Sequence, residues 1–482
     1  MQRLLTALLL LLLAFGTGVT GCAPRSELKK LNDEVLSLYR QGRYDRALVV
    51  AEKGLQVAEQ TVGPNQRDVA TSLNNLAMLY EAQGRYAQAE PLYQRALAID
   101  EKVLGPDHRG VGADLNNLAL LYQAQGHYTQ AEPLFKRSLA ILEKALGPDH
   151  PDVGGSLCNF AKLYSDQGQY AQAEALYQRS LAIREKALGP DHPDVGQSLN
   201  NLAELYFLQS QYALAEPLFK RALAIREKAL GPDHPDVGAG LNNLAILYKV
   251  QGHYAQAEPL FKRSLAIYEK VLGPNHRHVA TNLNNLAELY RDQDQYAQAE
   301  PLYQRALAID EKVLGPDHPK VGADLNNLAL LYQAQSHYTQ AEPLMKRSLA
   351  IFEKVLGPDH PEVASVLSNL GALYKVEGHF AQAEPLYQRS LAIREKALGP
   401  DHNDVAISLN NLAVLYVDQG RYAQAEPLMK RSLAIFEKVL GPDHPDVAKL
   451  LVNLAALYRK TNRVEEAEAF EKHAAAIRAV KR

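Results

Sequence analysis

Histidine stands at 108, 150, 192, 234, 276, 318, 360, 402 and 444, always 42 residues from the next. An imidazole can bind a metal or carry a proton, but rings spaced this far apart are separated by every intervening stretch of chain. No set of three or four ligands forms from them, so each is expected to pack in a loop that opens a helix. Glutamate and lysine lie side by side in Glu143-Lys144 and Glu185-Lys186. They recur with no nucleophile beside them and read as a solvated helix face. Cys158 replaces a residue that is asparagine in most repeats, and no glycine loop has the spacing that cradles a phosphate. The expectation is no catalytic residue, no cofactor and no metal, hence no enzyme.

The elements that carry these residues are set by a 42-residue period. Gly-Pro recurs at 63, 105, 147, 189, 231, 273, 315, 357, 399 and 441. Between two such marks, Leu73, Leu76, Ala77 and Tyr80 fall on one helix face, and Ala89, Leu92, Tyr93, Ala96 and Leu97 on another. Gly84 can end the first helix, and the short link after it makes the pair antiparallel. Gly105-Pro106 ends the second helix. Asp149 or His150 can cap the next one, with Pro151 in its first turn and Asp149 to Asp152 spaced as in a capping box. Pro91 is expected to bend its helix slightly. The register gives a degenerate repeat at 28–69, interrupted by Glu34 and Gly54, nine full repeats over 70–447, and a capping repeat at 448–482 marked by Val464, Glu471 and Lys472. Each hairpin is too small to bury its own faces, so stacking must finish the core. Residues 86–141 match 296–351 except at Arg109/Pro319, Gly110/Lys320, Gly126/Ser336 and Phe135/Met345, so the array grew by copying blocks.

The order Leu76-Ala77, Tyr80, Gly84, Tyr86, Ala89, Tyr93, Ala96-Leu97 resembles the tetratricopeptide repeat. The longer period, with its LNNLA and GPDHPDV phrases, resembles the repeats of kinesin light chains and their bacterial relatives. That resemblance implies an all-α, right-handed superhelical solenoid of about eleven antiparallel hairpins, whose first helices line a concave groove for a peptide or partner protein. Mapped on this chain, one groove row is Thr71, Asn74, Met78 and Glu81. The second asparagine of the pair, as in Asn75, is expected to bond between helices, with ligand contact left open. The first, Asn74, Asn116, Asn200, Asn242, Asn284, Asn326 and Asn410, would offer an amide that both donates and accepts, as an extended peptide backbone requires. Around them Phe207, Leu208, Ile246 and Val250 form an apolar stretch, and Glu288, Arg291 and Asp292 a charged one. Phe207 and Ile246 join the groove residues, with an exposed Phe207 as the leading hot spot.

With 52 basic and 55 acidic residues and a net charge of −3, the chain carries no basic footprint for nucleic acid. Met1-Gln2-Arg3 precedes an apolar run from Leu4 to Phe15, too short to span a membrane and read as a signal peptide over 1–21. Val19-Thr20-Gly21-Cys22 resembles the lipobox of bacterial lipoproteins. This implies lipidation of Cys22, a short linker over 22–27, and attachment to membrane through the lipid alone. Ala23 after the cysteine implies the outer membrane of a Gram-negative envelope, facing the periplasm. The expected function is a lipid-anchored interaction scaffold for envelope assembly; the alternative is a cytoplasmic adaptor like a kinesin light chain. Self-association stays open.

Overall fold

The computed structural model describes residues 22–63 and 66–480, without the side chains of 22–25, 62 and 480. The expected signal peptide over 1–21 and the thiol of Cys22 lie outside the described residues. All regular structure among the described residues is α-helical, in an alternation of a shorter first helix, such as Pro193–Leu208 (16 residues), and a longer second one, such as Tyr212–Leu230 (19 residues). The chain forms two compact units, divided after Leu121. Unit 1 holds the hairpins Cys22–Arg40 with Tyr44–Val62 and Arg67–Ala82 with Tyr86–Leu104. Unit 2 holds eight hairpins, from Pro151–Asp166 with Tyr170–Leu188 to Pro445–Lys460 with Val464–Val480.

Three sequence boundaries change. First helices start three residues before the expected register, at Arg67 and Pro193 rather than 70 and 196, because the cap sits at the preceding loop residue. The first helix opens at Cys22, so residues 22–27 are helical rather than a linker. Gly54 does not interrupt its repeat: the helix Tyr44–Val62 runs through it, and a Cβ there would stand 3.8 Å from Leu31 Cβ, so the two helices approach closely. The helix Tyr86–Leu104 likewise continues through Pro91.

Small residues set the spacing inside each hairpin. Ala77, Ala89 and Ala96 are fully buried, and in unit 2 the continuous core runs from Ala203 to Ile477. Buried serines tie helix to helix, as Ser264 Oγ donates to the Gly238 carbonyl (2.7 Å). Between hairpins, the first-helix tyrosine reaches the glutamate at the fifth position of the previous second helix: Tyr206 to Glu174 (2.8 Å), Tyr248 to Glu216 (3.0 Å), Tyr332 to Glu300 (2.9 Å). Within unit 2, neighbouring first helices touch one another while neighbouring second helices do not approach as closely. A stack built that way curves with its first helices on the inner side.

The surface of the second helices is not simply solvated. Glu143 pairs with Arg179 (2.6 Å) and Glu185 with Arg221 (2.7 Å), while Lys186 pairs with Asp149 (2.6 Å) and Lys228 with Asp191 (2.5 Å), each bond reaching the neighbouring repeat. These pairs are exposed, so they set register more than they stabilise. They also remove Asp149 from the cap. His150 makes it instead, its Nδ1 accepting the Asp152 N–H (3.1 Å) with Pro151 in the first turn, and the other eight histidines of the series do the same. The capping-box reading of Asp149 and Asp152 is therefore replaced by a histidine cap.

Candidate functional site

The inner face is built on the asparagine pair. In unit 2, Asn243 Nδ2 donates to Asn200 Oδ1 (3.0 Å), Asn285 to Asn242 (2.9 Å), Asn369 to Asn326 (3.0 Å) and Asn453 to Asn410 (3.0 Å). Each bond joins the second asparagine of one repeat to the first asparagine of the repeat before, and in unit 1 Asn75 reaches Asn32 the same way (3.0 Å). Asn74 donates to Asp114 (2.7 Å) and Asn284 to Asp324 (2.6 Å), while half-buried Asn116 is also engaged. The first asparagines, expected to offer free amides, thus hold the stack together. Adjacent first helices lie close enough for an amide to reach its neighbour, and leaving one unpaired in a half-buried seam costs stability.

The apolar stretch does come together. Phe207, Leu208, Ile246 and buried Phe219, with Lys162, Glu204 and Asn243, line a cavity of about 250 Å³. Phe207 is half-buried rather than exposed, its ring 5.8 Å from that of Tyr212, so its own hairpin fixes its orientation. Leu208 and Val250 are both 46% exposed. The sequence reading missed Glu204 and Lys162. Both stand in one register column with Met78 and Ile246, so reading down that column would have found them. Burial pushes the Glu204 carboxyl above its ordinary range, while the Asn200 amide (2.8 Å), the charge of Lys162 and the Asn243 amide (2.9 Å) pull it back.

Next to this pocket the charged stretch forms a cluster: buried Lys249 pairs with Glu288 (2.6 Å), and Arg291 contacts Glu288 (3.3 Å) and Asp292 (3.1 Å). Beyond it, Arg291, Asp294, Tyr296, Leu330 and exposed Val376 border an open hollow of about 550 Å³. Apolar pocket, ionic band and mixed hollow follow one another on one face. Such a surface suits binding, and nothing in it is arranged as a nucleophile with its base. Among the described residues no cluster of His, Cys, Asp or Glu is placed to hold a metal, and Cys158 is buried with its sulfur 3.0 Å from Ser180 Oγ. No described helix is long and apolar enough to cross a membrane.

The family model described as tetratricopeptide repeat matches the chain in overlapping stretches from 30–102 to 404–479. None of the curated protein sequences compared matches. Among solved structures, a putative kinesin light chain from Podosopora anserina with nearly identical TPR-like repeats is 31% identical, over 42% of this chain and 97% of that one (TM-score 0.37). BtubC (BKLC) from P. vanneervenii is 24% identical, over 48% of this chain and 90% of that one (TM-score 0.39). A Rap protein complexed with competence and sporulation factor is 17% identical, over 76% and 98% (TM-score 0.47). With its hairpins, its period and the family match along nearly its whole length, the chain belongs to the tetratricopeptide repeat family, a scaffold suited to protein–protein interaction.

Proposed function

We propose that this protein is a non-enzymatic scaffold, anchored by a lipid on Cys22 to a bacterial envelope, most simply the periplasmic face of an outer membrane. Its inner face holds an extended peptide or partner protein during assembly of envelope complexes. The observation that carries the binding part is the pocket of Phe207, Leu208 and Ile246, an apolar cavity edged by Lys162 and Glu204 on the side lined by first helices. Apolar anchors seated beside a few fixed polar groups are where binding energy concentrates. The anchoring part is supported by the apolar run Leu4 to Phe15 followed by Val19-Thr20-Gly21-Cys22.

Fractionation with mass spectrometry of the mature N-terminus tests the anchor. A chain beginning at acylated Cys22 in the envelope fraction supports it; a chain retaining Met1 in the cytoplasm supports the adaptor reading instead.

A further inference from the structure

Inside unit 2, two hairpin turns meet two helix starts far along the chain, a contact that stacking of neighbours does not require. Asn403 Nδ2 donates to Tyr170 Oη (3.4 Å) across 233 residues of sequence. One repeat earlier on each side, Gly126, Tyr128 and Gln130 share a cavity of about 430 Å³ with Asp359, His360 and Lys396. The two turn glycines lie close against the distant imidazoles. A Cβ at Gly168 would stand 2.9 Å from His402 Cδ2, and one at Gly126 would stand 3.2 Å from His360 Cδ2.

Both imidazoles cap a helix start on one side and face the turn of a distant hairpin on the other. Nδ1 of His360 accepts the Glu362 N–H (3.1 Å) and Nδ1 of His402 accepts the Asp404 N–H (3.1 Å). Across the seam the same rings stand against the turns that carry Gly126 and Gly168. A ring whose Nδ1 accepts an N–H is neutral, because both nitrogens of a protonated imidazole carry hydrogen. His192 and His234 cap their helices identically, but their side chains are 40% exposed.

We propose that this seam is a reversible latch, held by two neutral imidazoles, that keeps unit 2 closed upon itself and releases when acid protonates the rings. Protonation turns Nδ1 from acceptor to donor, so the cap bond and the closed geometry cannot both persist. The groups that face His360 are His127, with Tyr128, Asp359 and Lys396 around the shared cavity, and Glu362, itself near Lys320. His402 faces Asp404, Arg394 and Asp166. Burial lowers the titration of both rings, that of His360 to about 4 despite the Ala124 carbonyl. Because the closed form binds a proton less readily than the open form, closure is fully supported above the ordinary histidine range of about 6.5. It weakens as pH falls from there toward about 4.

Small-angle scattering with far-UV circular dichroism on the full chain, at about pH 7.5 and about pH 4.5, tests the latch. The radius of gyration shifts upward in acid while helicity is kept. His360→Asn with His402→Asn retains a capping oxygen but loses the reach across the seam; it is expanded already at neutral pH and loses the acid response. His192→Asn with His234→Asn behaves as the parent. A parent radius that does not change with pH, an expansion that tracks loss of helicity, or a His360→Asn/His402→Asn chain as compact and as acid-sensitive as the parent would each overturn the proposal.

Discussion

Ser210, Asp294, Ser336 and Asn462 adopt the left-handed backbone (φ 55–62°) at hairpin turns where most repeats carry glycine. A side chain in that region is strained, and Ser210→Gly relieves the strain, raising stability by up to about 1 kcal/mol in chemical denaturation. Asp310 and Asp324 are a second residue-scale feature. They are buried together, and Asn284 donates to Asp324 (2.6 Å). Burial pushes both carboxyls up, and the charge of Asp310 pushes Asp324 further, against the pull of Lys320 and Arg277 on Asp310. The folded chain therefore holds protons that the unfolded chain has released. The stability from this joint is present in acid and is lost as pH rises past the ordinary carboxylate range of about 4 and through the raised titration. Asp324→Asn keeps an acceptor for Asn284 and should raise stability at pH 8, on the order of 1–3 kcal/mol, and flatten the melting-temperature profile against pH. At the inner face, Phe207→Ala is expected to weaken partner binding by about 2 kcal/mol with helicity unchanged. Asn200→Ala acts differently, lowering stability because Asn200 bonds both Glu204 and Asn243.

At the scale of the helix, the histidine series shows what a one-dimensional reading reaches. Its fixed place three residues after the glycine of Gly-Pro marked a helix start, but the identity of the capping atom depended on where Asp149 went, and that was decided by Lys186 in the next repeat. His234→Ala should cost about 0.5–2 kcal/mol of stability, and His234→Asn should recover most of it in thermal melts. The alanine seams were legible outright, since a small residue at helical spacing opposite large ones has few other uses. Ala89→Arg drives a charge into a fully buried position and should lose about 3–5 kcal/mol. An unchanged melting temperature would remove Ala89 from the seam.

At the scale of the whole chain, the 42-residue beat carried the hairpins, their antiparallel pairing and the stacked core, because each follows from local spacing. What stayed hidden are relations between repeats. The bonds of Asn243 to Asn200, the cavity that joins Lys162, Glu204 and Ile246, and the meeting of Tyr170 with Asn403 all depend on how much each hairpin turns against the next. No residue encodes that rotation alone. Charge was legible only as a total; the ladder of Arg179 to Glu143 and its repeats appears once neighbouring helices are set side by side.

A partner held on the inner face lies within reach of the first-helix side chains and away from the second helices. Site-specific photo-crosslinking in intact cells tests it most directly, with a photoreactive residue placed at Phe207 or Ile246, or on the second helices at Lys186 or exposed Val271. Discrete adducts of one protein from Phe207 and Ile246, and none from Lys186 and Val271, are predicted. Adducts from the second-helix positions alone, or equally from both faces, would contradict it.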